Sequence, residues 1–327
     1  MPSCFNWAQS PEPALRRSAL IIAGQLTSLL SVQLSDHLVG FRDLVLGGLT
    51  DSDIDVQASA VIASTGMIAA LNAENRQAFS VIIPPILNSL RLALTDKHYD
   101  QAINMLQALS DWTEGDSTIF FPYLETFLIL LMDIARAKDL LSTTRQLAAE
   151  ILVKFSKFRA SVLKGLDGFV PKMIQLLLEM LIEVQDIPLD EWNDLEDDVC
   201  EATTSEIAEE CLDKFCIAMG GDLVAPAIIA DLNSLVQNTD DWKHRYAGIM
   251  AIGLTAEACK PQYKTQLAEI VNLLAPRLQD EHPRVRWATA NTLGQLSNDF
   301  PGTYHKRFHA ILLPGFGSLL EDSNHKV

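Results

Sequence analysis

Between Glu183 and Glu210 the chain carries twelve carboxylates and no Lys or Arg: Glu183, Asp186, Asp190, Glu191, Asp194, Glu196, Asp197, Asp198, Glu201, Glu206, Glu209 and Glu210. Such a cluster repels itself, and a Lys/Arg-rich partner relieves the repulsion while speeding encounter. Calcium is the other cation these oxygens could take, but the spacing lacks the EF-hand pattern with its central Gly. A solvated acidic loop is the plain alternative. Trp192, in the middle of the run, argues against a stretch that only solvates. The 327-residue chain has a formal net charge of −17, and these twelve residues supply most of it. A surface this acidic repels phosphate backbones, so direct nucleic-acid binding is not expected.

Residues arranged for bond-making are missing. There is no Gly-rich phosphate loop, GxSxG elbow, HExxH or clustered His/Cys set. His305 and His309 stand four apart without a third ligand. The cysteines, Cys4, Cys200, Cys211, Cys216 and Cys259, are odd in number and scattered, the usage expected of reduced thiols in a cytosolic or nuclear protein. No enzyme activity, cofactor or metal is expected. The apolar run Ile174 to Ile182 is broken by Gln175 and Glu179 and falls short of the ~20 residues of a membrane span. No signal peptide is visible, so no membrane insertion is expected.

The elements that must position the acidic run repeat. Hydrophobic residues make up 48% and aromatics 7%, with Gly (16) and Pro (14) sparse, which argues against a many-stranded sandwich or barrel. Asp240 to Ala258 (DDWKHRYAGIMAIGLTAEA) and Asp280 to Asn298 (DEHPRVRWATANTLGQLSN) look alike. Aligned on Arg245 and Arg286, they give a period of 41. The same frame fits Arg16, Gln57, Gln101, Arg145 and Ser205, with spacings of 41, 44, 44, 60, 40 and 41. The outlier holds an insertion of about 18 residues, the acidic run itself. Between these copies lie apolar segments of helical periodicity with a Pro near the start, such as FSVIIPPILNSLRLAL and GFVPKMIQLLLEMLIE. Pro276, deeper in its segment, should kink a helix.

The unit is therefore helix, turn, helix, of HEAT-type length, which cannot bury its apolar face alone and must stack on its neighbours. The expected fold is all-α: a HEAT-repeat α-solenoid, a right-handed superhelix of antiparallel helix pairs. Residues 1–327 would form one continuous array of about seven repeats, cut at both ends, with an acidic inter-helix loop at 186–204. Ala60, Ala148, Ala208, Ala247 and Ala288 recur where helices must approach closely. If Val285, Ala288, Thr289, Thr292 and Leu296 face the core, the opposite stripe carries Trp287, Asn291, Gln295 and Asn298. The same register gives Tyr246, Met250 and Glu257 on the helix before, and Glu206, Glu210 and Asp213 on the one before that. An aromatic, amide and acid stripe on the concave side suits an extended basic peptide: carboxylates take Lys or Arg, amides hold backbone, and Trp covers aliphatic stems.

DDWKHRYAGIMAIG, LQDEHPRVRWATANTLGQLSNDF and the following YHKRFH resemble the central HEAT repeats of the importin-β (karyopherin-β) superfamily, nearest its importin-5 branch. DEWNDLEDD sits, as in that branch, in a helix-to-helix loop just before a copy ending CLDKFCIAMGGDLVAP. The resemblance implies a monomeric nuclear import receptor that shuttles between cytoplasm and nucleus. It would bind basic localisation signals of protein cargo on its inner surface, meet phenylalanine-glycine nucleoporins, and release cargo to the GTPase Ran in its GTP form. It also implies that an acidic loop meets a basic patch on Ran, here through Asp190, Glu191, Trp192, Asn193, Asp194, Glu196, Asp197 and Asp198. A HEAT scaffold of another class, such as a phosphatase scaffold or trafficking adaptor, is the alternative that period and charge leave open.

Overall fold

The computed structural model describes residues 6–29, 37–69, 71, 79–114, 117–194 and 202–327. They divide into two compact units, Met1–Phe158 and Arg159–Val327, and the secondary structure among them is helical throughout.

The first unit holds α1 (Pro13–Leu29), α2 (Leu38–Leu49), α3 (Ile54–Ala69), α4 (Ile83–Thr95), α5 (Tyr99–Glu114), α6 (Leu124–Arg136) and α7 (Ser142–Phe158). Helices α2/α3, α4/α5 and α6/α7 pair, and α1, α3, α5 and α7 stack side by side as one row. Gly24 shows how close the row is: a Cβ there would stand 2.8 Å from the Ala63 Cα, so only glycine fits the α1–α3 crossing. Ser117–Arg136 has the length and apolarity of a membrane span. It is a 3-10 segment leading into α6, and its Phe120 and Phe127 stack at 4.3 Å and meet Phe155 of α7 within the core.

The second unit holds α8 (Phe169–Leu181), α9 (Leu189–Asp194), α10 (Thr204–Met219), α11 (Gly221–Val236), α12 (Trp242–Thr255), α13 (Lys260–Leu274), α14 (Pro283–Asp299) and α15 (Thr303–Leu319). Helix α8 pairs with α10, α11 with α12, and α13 with α14, while α10, α12 and α14 form the row. The short α9 lies in the long connection between α8 and α10. Gly220, at φ 81°, lets α10 end and α11 begin without a linker. Pro276 does not kink α13. The α-helix stops at Leu274 and the chain continues as a 3-10 segment, Ala275–Gln279, because proline lacks the N–H and its ring blocks the carbonyl four residues back. The alanines expected at close approaches, Ala60, Ala148, Ala208, Ala247 and Ala288, are all fully buried.

The residues that marked the period fasten one turn to the next. Arg16 reaches Asp51 (2.6 and 2.8 Å), Arg245 reaches Asp280 (2.8 Å twice) and Arg286 reaches Asp322 (2.7 Å twice), each as a two-pronged fork. Each arginine also donates to a carbonyl of its own preceding turn: Ser10, Asn238 and Asp280 respectively. Each aspartate also accepts an amide two residues on, from Asp53, His282 and Asn324. One carboxylate thus shapes a turn and binds the previous repeat. Arg16 holds the Asp51 carboxyl below its ordinary range, and Arg286 does the same for Asp322. Burial pushes Asp280 up, but the Arg245 fork and the His282 amide outweigh it, so that carboxyl too ends low.

Arg245 and Asp280 have side chains only 3% and 2% exposed. Asp280→Ala would leave the buried Arg245 guanidinium with the exposed Glu281 carboxylate at 3.3 Å in place of its fork and is expected to destabilise by about 3 kcal/mol. Arg245→Met combined with Asp280→Leu, which removes both charges, should cost far less. Urea unfolding of the two variants checks this, and equal losses would contradict it.

Candidate functional site

Sequence places the acids, and α9 shows how they are held. Its Trp192 amide donates to the Pro188 carbonyl at 2.9 Å. The Trp192 ring is buried and meets Trp287 of α14 edge-on at 6.5 Å. Two cations lie over that ring, Arg284 at 5.6 Å and Lys326 at 5.3 Å. Arg284 Nη1 also donates to the Gln185 carbonyl (2.7 Å) and Lys326 Nζ to the Trp192 carbonyl (3.0 Å). Lys243 at the start of α12 pairs with Asp186 at 3.9 Å. With Trp192 turned in, Asp190, Glu191 and Asp194 are exposed, and Asn193 is half-buried. Glu196, Asp197 and Asp198 lie outside the described residues.

Helix α9 therefore rests on the start of α14, and the connection just before it pairs with the start of α12, the helices whose outward stripe was expected to bind peptide. On α14 that stripe is plain: Trp287 is half-buried and Asn291, Gln295 and Asn298 are exposed, while Val285, Ala288, Thr289, Thr292 and Leu296 are buried. On α10, Glu210 is exposed and paired with Lys214 at 2.6 Å. Glu206 is exposed and closes a capping box, its carboxylate taking the Thr203 amide at 2.7 Å. Asp213 is half-buried, and burial with the nearby Glu257 carboxylate raises its pKa. Glu257 is exposed just past α12.

Helix α12 departs from the expected register. Tyr246 and Met250 were placed on an open stripe, yet both are buried. This is the middle helix of the row, flanked by α10 and α14 and backed by α11, and every residue from Arg245 to Gly253 is buried. What covers Tyr246 is specific. Its hydroxyl donates to Glu209 at 3.5 Å, Trp242 meets it edge-on at 6.3 Å, and the Arg284 guanidinium lies 5.9 Å from its ring centre. Trp242 in turn stacks on His282 at 3.8 Å.

Trp242, Arg284 and Lys326 were not singled out from sequence, and Glu209 was named there only as one of the twelve carboxylates. Glu209 is one residue off the stripe, so a strict face reading passes it by. A second Arg beside the period-marking Arg286 was a usable signal for Arg284. Among the cysteines, Cys211, Cys216 and Cys259 are buried; burial raises the Cys216 thiol and pushes Cys259 up to about 11, which keeps both protonated. Cys4 and Cys200 lie outside the described residues. Among those described, no group of three or more His, Cys, Asp or Glu could hold a metal.

Burial lifts the Glu209 carboxyl from 4.5 to about 7, Glu206 adds repulsion, and the Tyr246 hydroxyl and Arg284 oppose the rise. Between those two pH values the folded protein keeps a proton that the unfolded chain has lost. Stability should therefore fall as pH rises through that window and level off above it. Glu209→Gln should abolish the fall and stabilise the protein at pH 8 by about 1–2 kcal/mol, allowing for partial solvent access. Urea midpoints at pH 5 and pH 8 for both proteins measure it.

Three families match in succession along the chain: IPO5-like, TPR repeats over residues 1–130, Importin repeat over 137–226, and HEAT-like repeat over 242–296. Importin subunit beta-3 of Saccharomyces cerevisiae is 27% identical over 316 residues, covering 95% of this chain and 29% of the relative. A probable importin-5 homolog of Dictyostelium discoideum is 27% identical over 286 residues, 84% of this chain and 26% of the relative. The crystal structure of Kap121p superposes with a TM-score of 0.87 at 26% identity, covering 98% of this chain and 31% of that one. Kap121p has also been solved bound to Nup53p and to Pho4p, each with a TM-score of 0.86 and 25% identity, over 97% of this chain and 31% of that one. The fold is thus an all-α HEAT-repeat solenoid, and the chain spans under a third of the length of these relatives.

Proposed function

We propose, since this chain belongs to the importin-β family, that it is a cargo-binding stretch of a nuclear import receptor. The cargo is a protein segment rich in Lys and Arg, laid along the α10–α12–α14 row. Glu206, Glu210, Asp213 and Glu257 would take its cations. Asn291, Gln295 and Asn298 would hold its backbone, and Trp287 would cover aliphatic stems. Tyr246 acts from beneath by holding Glu209. The exposed Asp190, Glu191 and Asp194 of α9, continued by Glu196, Asp197 and Asp198, would meet a basic patch on Ran beside Asn193, with Trp192 seating that helix. The whole receptor would shuttle between cytoplasm and nucleus, touch phenylalanine-glycine nucleoporins on the way, and give up cargo to Ran in its GTP form.

The observation that carries the reading is the contact of Trp192 with Trp287, which puts the acid-bearing helix against the row. A cation bound at one therefore changes the field felt at the other. The complexes of Kap121p with Pho4p and Nup53p support a protein occupant.

A Lys-rich peptide should bind this chain with an affinity that drops steeply as salt rises from about 0.05 to 0.2 M. The triple change Glu206→Gln, Glu210→Gln and Asp213→Asn should weaken binding several-fold while leaving the fold intact, because Gln also serves at the capping-box position. Titration calorimetry reads both effects. Unchanged affinity in the triple variant would rule out this face. With the full-length receptor, Ran-GTP should displace the peptide and Ran-GDP should not.

A further inference from the structure

Arg284 occupies a setting that its own chain does not satisfy. Its guanidinium lies 5.2 Å from the ring centre of Trp242, 5.6 Å from that of Trp192 and 5.9 Å from that of Tyr246. Asp186, Glu206 and Glu209 act on its charge from nearby. Yet among the described residues none of these carboxylates stands at ion-pair distance from it. Its Nε is buried without a hydrogen-bond partner, and its one hydrogen bond among those described goes to the Gln185 carbonyl. Three rings that accept a flat cation thus surround a guanidinium which leaves a donor unpaired, and burial disfavours its charge. A guanidinium entering from the side of Glu206 and Glu209 could use the same rings and gain the ion pairs that Arg284 lacks.

We propose that Trp192, Trp242 and Tyr246, with Glu206 and Glu209, form an arginine-selective subsite for a partner chain, and that Arg284 is its internal occupant. The subsite rests on the reading of this row as a peptide-binding surface and adds which basic residue is read there. Selectivity comes from shape: a guanidinium is planar, weakly hydrated, stacks on rings and forks onto carboxylates, whereas a lysine ammonium is a compact, strongly hydrated point charge. Displacing Arg284 also loosens α9, because that side chain bridges Gln185 and Trp192. Filling the subsite and breaking the Arg284–Gln185 bridge are then one event, while Trp287 and Lys326 keep Trp192 in place.

The test compares two peptides of equal length and charge, one with arginine and one with lysine at every basic position, on the wild-type chain, Arg284→Gln and Trp242→Leu. Arg284→Gln should raise affinity for the arginine peptide about five- to tenfold and for the lysine peptide less than twofold. Trp242→Leu should erase the preference. Hydrogen exchange of residues 187–194 should quicken in Arg284→Gln and, on the wild-type chain, when the arginine peptide is added. Equal changes for the two peptides, or a weaker arginine complex in Arg284→Gln, overturn the subsite and leave the cargo surface standing. If neither peptide binds any of the three proteins, the cargo surface fails and the subsite falls with it. Should Arg284→Gln fail to fold, the Trp242→Leu comparison decides alone: an arginine preference that survives there overturns the proposal.

Discussion

Burying a guanidinium is costly without a counter-charge, and at Arg16, Arg245 and Arg286 that need ties one turn to the next. Arg245 is sealed between its own turn and the next, and Asp280 is its buried counter-charge, with the exposed Glu281 carboxylate 3.3 Å away beside it. Asp280 cannot move without unmaking the turn it shapes through the His282 amide. Each such pair therefore fixes a helix start, a turn and an inter-repeat spacing together. Hydrophobic stacking alone would let neighbouring pairs slide, because apolar contact has no direction. The fork does not allow sliding, and α12 and α14 inherit their mutual register from it.

That register is why the outward stripe has chemistry at regular intervals. Trp287, Asn291, Gln295 and Asn298 line up along α14 because the opposite side of that helix is committed to the core. Charge on this surface is partly answered from within. Lys214 meets Glu210, Lys243 meets Asp186, and Lys326 lies over Trp192. An acidic chain can thus present a moderate field at the row itself and carry further exposed acids on α9.

The helical period, the pairing and the buried alanines were legible in sequence because they depend on neighbours three, four or about forty residues away. The frame is looser in chemistry than in spacing. At its Gln positions, Gln57 donates to the Asp51 carbonyl and Gln101 to Asp55, and Arg145 donates to the Ala135 carbonyl. Burial of Tyr246 was not legible, since it depends on α12 having a helix on each side and on Arg284 folding over it. The hold on α9 was not legible either. Trp192 could be flagged as out of place in an acidic run, but its partners come from positions that no local pattern links to it.

The sequence distances of those partners set an order on synthesis. Arg245 and Arg286 find their aspartates within 35 and 36 residues, so each clasp can close soon after its turn leaves the ribosome. Gln185 must wait 99 residues for Arg284, and Trp192 must wait 134 for Lys326. Until Lys243 and then Trp287 emerge to meet Asp186 and Trp192, the nascent chain trails an undocked, strongly negative stretch beside a growing stack of helices. Its self-repulsion would keep it extended and away from premature hydrophobic contacts.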